Sequence, residues 1–448
     1  MDEKSIITGI GLGPFNLGLA ALLSDHKEIE SVFLERNKDF NWHKGLLLSG
    51  ATLQVPFFAD LVTMADPCHK LSYLNYLHQQ DRLYQFYYYE NFLIPRIEYN
   101  HYCRWAVDQL ENCRFDEQVT HVSYDERSDL FTVYSESTSG QIKQYSSHHL
   151  AIGVGTQPNI PLWLTKCDHP LVCHASAFAD LQDKLTQCQR VTVIGSGQSA
   201  AECVLALFRS LTPEQVDQGA SIRWVTQSPG YHPMEYSKLG QECFTPAYMD
   251  YFQTLPRDQR RDVTSQQGLL YKGISCSTIS DIFDLLYERS IGGRSPGLIL
   301  NPNCRVKSLK PLGLTNVLKI ECEHTQLKTH YFLESDAIVA ATGYVHQWPA
   351  WFEQFKGTVL ETDSNNDFIL NEDFSAQRCD NGHGKIFIQN PEIHQQGVGG
   401  PDLGIGAYRN AHIINKIIDK PYYKISRSTA FQHYGIPDDA KLNDFDSF

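Results

Sequence analysis

Two glycine turns, each between an apolar strand pattern and an apolar helix pattern, constrain the fold of this chain most. The first lies in SIITGIGLGPFNLGLAALL, which starts at Ser5 and is followed by a second strand pattern, SVFLERN. The other lies in VTVIGSGQSAAECV, which starts at Val191 and precedes the strand pattern IRWVTQS. Strand, glycine turn, helix and strand together form the βαβ unit that binds a dinucleotide. The sequence therefore predicts an α/β fold with two Rossmann-like dinucleotide-binding domains.

Residues of the two turns are the first candidate contacts to a cofactor. Glycines let the backbone approach a pyrophosphate, whose charge the N-terminus of the next helix then meets. The first turn offers Gly9, Gly11 and Gly13 with Pro14, and the second offers Gly195, Gly197, Gln198, Ser199 and Ala200. Glu35 ends the second strand, where an acid accepts the ribose hydroxyls. Two such units predict FAD plus a nicotinamide cofactor, unless the second unit is degenerate and binds nothing.

The chain is expected to leave the first domain and later return to it. HLAIGVGTQPNIP (149–161) and DAIVAATGYVHQWP (336–349) each combine an apolar strand, a turn and proline, as expected where a chain crosses between domains. We predict an FAD-binding domain at 1–165, an inserted NADPH-binding domain at 166–335, and a return at 336–448 that carries a small, mostly helical substrate-binding region. The aromatic run YQFYYYENF (84–92) is expected to be buried packing.

Composition narrows the function classes. With 448 residues the chain exceeds one hydrophobic core, and its net charge of −14 argues against nucleic acid or an anionic membrane as partner. Its 12 cysteines include no CxxC pair and no Cys/His spacing typical of metal ligands, as expected for reduced thiols in a cytoplasmic protein without a metal site. No signal peptide or membrane span is expected, because glycines and Pro14 interrupt the first apolar run.

Further motifs follow in a characteristic order. They are FNWHKGLLL with TLQVPFFADLVT, HASAF (174–178), FTPAYMDYF, ATGY (341–344) and GVGGPDLGIGAYRNAHIINKI. With the two glycine turns, they make the chain resemble the N-hydroxylating flavin monooxygenases of siderophore biosynthesis, the ornithine and lysine N-monooxygenases. The resemblance implies that NADPH reduces FAD, that the flavin forms a C4a-hydroperoxide, and that a neutral primary amine attacks its distal oxygen. No metal and no catalytic side chain is implied, because the flavin carries the chemistry.

The resemblance also implies which residues contact the cofactors. Residues 35–43, with Trp42 and His43, would line the FAD together with Gln54. Lys238 would supply a charge for the 2′-phosphate of NADPH, since Gln227 stands where the amino-acid enzymes have an arginine; NADH use is left open. The other implied cofactor contacts are Val119, Thr342, Gly343, Leu403 and Gly404.

Departures from the amino-acid enzymes concern the substrate. Ala59 stands where they carry the lysine that pairs with the substrate carboxylate, Gln241 replaces an asparagine, and Gly404 replaces a serine. A buried carboxylate without a partner is costly to desolvate, so an amino acid becomes an improbable substrate. FADLVT, YKGIS and PDLGIGAYRN look closer to the diamine N-monooxygenases, which act on putrescine or cadaverine. Asp402 would attract the far ammonium of the diamine or would only cap a helix.

Several alternatives stay open at this point. Histamine also lacks a carboxylate, and lysine or ornithine is the substrate if a cation reaches the pocket from elsewhere. A flavin monooxygenase that oxidises sulfur or carbon, and a non-catalytic flavin-binding sensor, are rival readings; a disulfide reductase lacks its CxxC pair. The histidine usual before the C-terminal Gly-Val is Gln396 here, with His394 two residues earlier. By analogy with the family, a homo-oligomer, either a tetramer or a dimer, is expected.

Overall fold

The computed structural model describes residues 2–313, 317–426, 428–437 and 439–440. The strand at the N-terminus belongs to a seven-stranded sheet. Its strands are β1 (Asp2–Ile10), β2 (Ser31–Leu34), β3 (Cys113–Arg114), β4 (Gln118–Asp125), β5 (Leu130–Glu136), β6 (Ile142–Ile152) and β17 (Ile386–Ile388). They are ordered β3-β2-β1-β6-β5-β4, and β17 pairs with the end of β6. β1, β2, β3, β6 and β17 are parallel, whereas β4 and β5 add an antiparallel edge.

A second sheet is entirely parallel and has the order β11-β10-β9-β15-β8. Its strands are β8 (Val172–His174), β9 (Arg190–Ile194), β10 (Ser221–Val225), β11 (Leu298–Asn301) and β15 (Ala337–Ala340). Both predicted βαβ units are therefore confirmed, with β1 and β2 in the first sheet and β9 and β10 in the second. β15 is buried throughout, as expected for a parallel strand covered on both faces.

Two smaller sheets complete the β structure. β12 (Cys304–Pro311), β13 (Leu318–His324) and β14 (His330–Ser335) form an antiparallel sheet, and β7 (Thr156–Pro158) pairs with β16 (Tyr344–His346). The β7–β16 pair joins the two segments in which we expected the chain to cross between domains, and β8 to β15 lie between them in sequence. The inserted arrangement and the boundaries at 165 and 335 stay a prediction; β15, which starts just after residue 335, belongs to the second sheet.

Helices cover both sheets and connect their strands. They are α1 (Pro14–Leu23), α2 (Tyr73–Gln79), α3 (Leu83–Tyr89), α4 (Arg96–Val107), α5 (Leu162–Thr165), α6 (Phe178–Leu185), α7 (Gln198–Ser210), α8 (Pro213–Asp217), α9 (Lys238–Gln241), α10 (Pro246–Thr254), α11 (Arg257–Gln266), α12 (Gly268–Tyr271), α13 (Cys276–Arg289), α14 (Ala350–Glu353), α15 (Ile393–Gln396) and α16 (Gly406–Ile418). Short 3-10 helices span Lys44–Leu46, Ala175–Ala177, Glu242–Phe244 and Leu403–Ile405. Every residue of α1 except Phe15 is buried, which explains why this helix is apolar on all sides.

The aromatic run at 84–92 is not buried, so the expectation of core packing was wrong. α3 has no buried residue, and Tyr84, Tyr87 and Tyr88 are 80%, 70% and 75% exposed. Phe86 alone of the helix packs partly against the first core cluster. Aromatic composition marks buried packing only where another element covers the side chains, and a local run cannot reveal whether that element exists.

Among the described residues, no helix combines the length and the apolar character that crossing a membrane requires.

Candidate active site

The first glycine turn leaves space for an anion. Gly11 has a φ of +83°, and a Cβ there would lie 2.5 Å from the carbonyl oxygen of Gly153. Gly13 is the N-cap of α1, where no side chain accepts a hydrogen bond from the first turn, and a Cβ on Gly13 would meet no protein atom within 4 Å. The N–H groups at the start of α1 therefore face open space, which fits the pyrophosphate of a dinucleotide.

Glu35 lies beside this turn, at the end of β2. Its Oε2 accepts a hydrogen bond of 2.9 Å from the backbone N of Leu12, and its Oε1 accepts one of 2.9 Å from the N of Asn37. The N of Glu117 donates to the carbonyl oxygen of Glu35, so β4, which carries Val119, starts next to it. The carboxylate thus has the position that the sequence predicts for a ribose contact.

Several buried amide groups have an atom without a partner in the part of the chain that the structure describes, and three of them, on Asn16, Gln389 and Asn390, lie at the carboxyl ends of β1, β6 and β17. The Nε2 of Gln54 and the Oδ1 of Asn16 are buried and have no hydrogen-bond partner among the described residues. The same holds for the Oε1 of Gln389, the Oδ1 of Asn390 and both side-chain atoms of Gln396. Buried polar atoms are rarely left unpaired, so these amides fit a bound group rich in carbonyl and ring-nitrogen atoms, as the isoalloxazine of FAD is.

Trp42 and His43 form one aromatic group. The backbone N of Trp42 donates to the Oδ1 of Asn100 at 2.7 Å, and the ring of Trp42 lies 4.5 Å from that of His43. Although His43 is an exposed residue, desolvation by the surrounding protein atoms and, to a lesser extent, Arg96 lower its pKa to about 4. His43 is therefore neutral at pH 7, and its ring lies 5.9 Å from the ring of Tyr344.

Tyr236 connects Gln54 to the segment after β10. Its hydroxyl donates to the carbonyl oxygen of Gln54 at 3.0 Å. Burial raises the pKa of Tyr236 to about 12, and Asp402 adds to this shift, so the hydroxyl stays a donor and lies near Asp402. Sequence analysis missed Tyr236, because a single tyrosine in a loop carries no local signal.

The second glycine turn repeats the open geometry of the first. Gly197 is the N-cap of α7, again without a side-chain cap, and a Cβ there would meet no protein atom within 4 Å. Beside it lies a cleft of about 200 Å³, lined by Gln54, Gly197, Gln198, Ser199, Ala200, Lys272, Gly343, Tyr344 and six further residues. This cleft joins the predicted nicotinamide site to Gln54.

Two of the predicted cofactor contacts are already engaged within the protein. The Nε2 of Gln198 donates to the Oε1 of Glu202 at 3.0 Å, and its Oε1 accepts from the N of Ser275 at 2.8 Å. The Oγ1 of Thr342 donates to the carbonyl oxygen of Asn159 at 2.6 Å. Both side chains therefore hold the backbone around the cleft and are used inside the protein.

Ala59 is buried, with 5% of its surface exposed. The carboxylate of its neighbour Asp60 accepts hydrogen bonds from the backbone N of Val62, Thr63 and Tyr73 at 3.0, 2.7 and 2.7 Å. These three bonds fix the loop that carries Ala59. Asp60 and Leu61 line a small cavity together with Phe15, Leu403, Gly406 and four other residues. The structure thus brings the Ala59 loop and the C-terminal motif together, as the resemblance implies.

Asp402 is half-buried at the start of the 3-10 helix Leu403–Ile405. Its Oδ1 accepts a hydrogen bond of 2.7 Å from the N of Gly404, so the capping role that the sequence allowed is present. Burial raises the pKa of Asp402 to about 6, although this hydrogen bond and Arg409 act in the opposite direction. Asp402 is therefore mostly ionised at neutral pH.

Sequence analysis did not identify the structural role of Arg409. It is fully buried, and its guanidinium donates to the carbonyl oxygens of Gln389 and Gly400. The guanidinium also lies over the rings of Phe15 and Phe374, at 5.0 and 5.3 Å from their centroids. Burial lowers its pKa to about 9, while Asp402 raises it. Arg409 thus holds the C-terminal motif against the first sheet.

Gln241 and Lys238 belong to α9, which follows Tyr236 in the chain. The Nε2 of Gln241 donates to the carbonyl oxygen of Glu235 at 2.8 Å. The next residue, Glu242, accepts 3.0 Å hydrogen bonds from the backbone N of Phe431 and of Gln432. Lys238 is exposed at the start of the helix. Within the described ranges, no hydrogen bond joins Gln241 to Ala59 or Asp402.

His394 lies in a separate ionic cluster. Its Nε2 is 3.2 Å from the Oδ2 of Asp367 and its Nδ1 is 3.5 Å from the Oε2 of Glu392. Asp367 also pairs with Arg261. Gln396, in contrast, is fully buried, and neither its Oε1 nor its Nε2 has a hydrogen-bond partner among the described residues.

Comparison with known proteins identifies relatives along nearly the whole chain. It is 56% identical over 432 residues to the rhizobactin siderophore biosynthesis protein RhbE of Rhizobium meliloti, covering 96% of this chain and 95% of RhbE. It is 38% identical over 439 residues to the putrescine N-hydroxylase of Shewanella oneidensis, covering 96% of this chain and 84% of that enzyme.

Among solved structures, DfoA bound to FAD, the cadaverine monooxygenase of the desferrioxamine pathway of Erwinia amylovora, superimposes with a TM-score of 0.89. The two chains are 34% identical, and the match covers 98% of this chain and 100% of DfoA. Residues 5–346 match the family described as L-lysine 6-monooxygenase/L-ornithine 5-monooxygenase. The order of motifs, the two glycine turns and these matches agree, and the chain is a monooxygenase that belongs to the L-lysine 6-monooxygenase/L-ornithine 5-monooxygenase family.

Proposed function

We propose that this protein is an FAD- and NADPH-dependent enzyme that hydroxylates one nitrogen of a primary aliphatic diamine, putrescine being favoured over cadaverine, for hydroxamate siderophore biosynthesis. Two kinds of relative support the substrate class. The putrescine N-hydroxylases of Shewanella oneidensis and Acinetobacter baumannii are 38% and 36% identical to this chain, and the cadaverine monooxygenase DfoA is 34% identical. The L-lysine N6-monooxygenase of Escherichia coli is more distant, at 28%.

Cofactor binding follows from the two open helix N-termini. Gly11, Gly13 and Glu35 would hold the adenine dinucleotide half of FAD, and the unpartnered amides of Gln54 and Gln396 would meet its ring. Residues 195–200 would hold the pyrophosphate of NADPH. Bound FAD, once reduced by NADPH, would supply the activated oxygen, and the protein would supply binding, orientation and exclusion of water.

One observation carries the choice of a diamine: Ala59 is an uncharged, buried residue at the position of the carboxylate-binding lysine. Arg409, a buried cation of the C-terminal motif, donates to two backbone carbonyl oxygens and packs on two phenylalanine rings. Lys272 lines the cleft but is exposed. A substrate carboxylate that entered this site would lose its hydration without a dedicated partner, which costs several kcal/mol.

The opposite end of the diamine has a partner. The carboxylate of Asp402 accepts a hydrogen bond from the N of Gly404 and, among the described residues, keeps other lone pairs for an ammonium group. The reacting amine must be neutral to act as a nucleophile, whereas a free alkylamine has a pKa near ~10.4. Apolar surroundings favour the neutral form, and Met249, Phe374 and Ile405 form an apolar cluster next to Leu403 and Gly404. The charged nitrogen of the diamine would thus face Asp402, and the neutral nitrogen would face apolar surroundings.

A homo-oligomer is part of the proposal. Besides α3, the exposed aromatic surface includes Phe58 and Phe92, which are 37% and 61% exposed. An aromatic side chain offers about 150–250 Å², so the exposed fractions of these rings and of Tyr84, Tyr87, Tyr88 and Tyr89 amount to roughly 700 Å². A stable interface buries about 800 Å² per partner, which makes a second copy of this chain a fitting occupant of the aromatic surface.

A product assay tests the proposed reaction. Purified protein is given FAD, oxygen and either NADPH or NADH, and hydroxylamine formation is measured with diamines of increasing chain length, histamine, ornithine and lysine. We expect diamine-dependent hydroxylamine formation, with more product from NADPH. Ornithine or lysine as the best substrate would contradict the role of Ala59, and histamine would replace the aliphatic diamine. FAD binding without turnover on any amine would favour a flavin-binding sensor.

A further inference from the structure

The two dinucleotide units of this chain differ at one equivalent position. In the first unit the N of Gly11 donates to the carbonyl oxygen of Leu34 at 2.8 Å, and in the second the N of Gly195 donates to that of Val225 at 3.0 Å. β2 and β10 therefore end at matching points. The following residue is Glu35 in the first unit and Thr226 in the second. The second unit thus lacks the acid that would bind a free ribose 2′-hydroxyl and repel a 2′-phosphate.

Thr226 and its neighbours lead directly to the second glycine turn. The Oγ1 of Thr226 accepts a hydrogen bond of 3.1 Å from the N of Ser228, whose hydroxyl donates to the Oγ of Ser196 at 3.2 Å. Ser196 lies inside the turn, between Gly195 and Gly197. The segment 226–228 therefore borders the place where the adenosine ribose of a dinucleotide lies in a Rossmann unit.

β12 brings a guanidinium to the same segment. Its first residue, Cys304, donates from its N to the carbonyl oxygen of Thr226 at 2.7 Å, and the N of Asn303 donates to that of Ser228 at 2.9 Å. This pairing fixes the start of β12 against the end of β10. The Nε of Arg305 then donates to the Oε1 of Gln227 at 3.3 Å, while the side chain stays 46% exposed.

Positive charge exceeds negative charge around Arg305. The Nη1 of Arg305 is 3.7 Å and the Nζ of Lys307 is 3.4 Å from the same carboxylate oxygen of Glu323. Two cations thus share one anion, in a chain whose net charge is −14. Among the described residues, neither Nη1 nor Nη2 of Arg305 donates a hydrogen bond. The guanidinium therefore keeps N–H groups for an anionic ligand, and a guanidinium fork suits the oxygens of a phosphate.

We propose that Arg305 binds the 2′-phosphate of NADPH, with Gln227, Ser228 and Ser196 around it, and that it sets the preference for NADPH over NADH. This inference rests on the proposed use of NADPH. It differs from the role predicted for Lys238, which begins α9. Leu239, the next residue of that helix, accepts a hydrogen bond from Gln432, and Tyr236 contacts Gln54. α9 is thus tied to the flavin side and the C-terminal segment, whereas Arg305 touches the strand end itself.

Calorimetric titration of the FAD-loaded protein tests the inference without turnover. Adenosine 2′,5′-bisphosphate and AMP differ only by the 2′-phosphate, so the ratio of their dissociation constants isolates that group. Arg305→Ala should weaken binding of the bisphosphate by roughly ten- to a hundredfold and leave AMP binding unchanged, as loss of a charge-assisted hydrogen bond predicts. Arg305→Lys should retain part of the affinity, because it keeps the charge without the fork.

Lys307→Ala is the matched control, since Lys307 shares Glu323 with Arg305 but, in the part of the chain that the structure describes, makes no hydrogen bond to Gln227. We expect a much smaller loss in this variant. The inference is overturned if Arg305→Ala binds the bisphosphate like the wild type, if it loses both nucleotides equally, or if Lys238→Ala alone loses the bisphosphate. A wild-type protein that binds both nucleotides equally would instead contradict the proposed use of NADPH, so the two failures are distinguishable.

Discussion

Arg96 and Glu202 form a buried pair with two parallel hydrogen bonds. The Nη1 and Nη2 of Arg96 donate to the two carboxylate oxygens of Glu202 at 2.8 and 2.7 Å, and the side chains are 10% and 5% exposed. Arg96 begins α4, whereas Glu202 lies on α7 and also accepts from Gln198. The pair therefore fixes the helix of the second glycine turn against the part of the chain that carries Trp42 and His43.

Breaking this pair should destabilise the protein strongly. Glu202→Gln leaves the Arg96 charge buried without its counter-ion, which costs about 3–5 kcal/mol of unfolding free energy. Arg96→Met/Glu202→Met removes both charges and should cost less than the single change. Arg209→Ala, on the same helix, breaks the exposed pair with Asp281 and should cost no more than about 1 kcal/mol. Denaturant unfolding measures all three, and a double variant as unstable as Glu202→Gln would contradict the expectation.

Gly13→Ala and Gly197→Ala should each weaken the binding of a different cofactor. Neither added methyl meets a protein atom within 4 Å, and φ at these positions is −80° and −98°, so folding should be unaffected. Each methyl would occupy the approach to a helix N-terminus. We expect Gly13→Ala to lose about tenfold or more in FAD affinity, a change of about 1.4 kcal/mol or more. Gly197→Ala should keep FAD and lose NADP⁺ affinity instead.

Each glycine variant is the control for the other. Flavin fluorescence measures FAD binding, and calorimetry on the FAD-loaded protein measures NADP⁺ binding. If both variants lost both cofactors, or if neither lost any, the assignment of the two turns would fail.

Asp402 should make diamine use depend on pH. Because burial raises its pKa to about 6, the carboxylate is ionised and attracts an ammonium above that pH, and it becomes neutral below it. The ratio of kcat/KM between the wild type and Asp402→Asn should be roughly ten- to a hundredfold above pH 7 and fall toward one below about pH 6. Asparagine retains an acceptor for the N–H of Gly404, so the helix cap survives.

Because both proteins receive the same diamine, the ratio of their kcat/KM values does not depend on the protonation of the diamine itself. n-Butylamine, which has no second ammonium, is the matched substrate, and its ratio should stay near one at every pH. A diamine ratio that did not change with pH would remove Asp402 from substrate binding.

The exposed aromatic surface predicts a change of assembly. Tyr87→Glu/Tyr88→Glu places two charges in the proposed interface and should shift the protein to a smaller species in light scattering after gel filtration, with FAD binding retained. Tyr422→Glu changes a tyrosine that is 60% exposed outside the surface and should leave the assembly unchanged. A wild-type monomer, or an unaffected double variant, would contradict a second copy on this surface.

Local patterns sufficed for the parts of the fold that are themselves local. Both glycine turns, their strands and Glu35 could be predicted because turn, helix and acid lie within one βαβ unit. Tyr236, Arg409 and Arg305 could not, since each acts on a residue distant in sequence: Gln54, Gln389 and Gln227 respectively. The place of Gln198 in the glycine turn also did not reveal that its side chain is hydrogen-bonded to Glu202 and Ser275.

The aromatic run at 84–92 shows that a local pattern can also predict a contact that the fold does not make. Its composition favoured packing, but only Phe86 found a partner in the core, because α3 lies at the surface. Gln396, by contrast, had no pattern at all and became notable only when both of its side-chain atoms proved buried without partners.

The most direct test of the central claim compares substrates that differ only by a carboxylate. Putrescine is ornithine without its carboxylate, and cadaverine is lysine without its own, so the two ratios of kcat/KM measure what the site does to that group. The structure predicts that each diamine is favoured by roughly a hundredfold or more, the equivalent of about 2.8 kcal/mol, and that Ala59→Lys lowers both ratios. Ratios at or below one in the wild type would contradict a pocket built for an amine without an acid group.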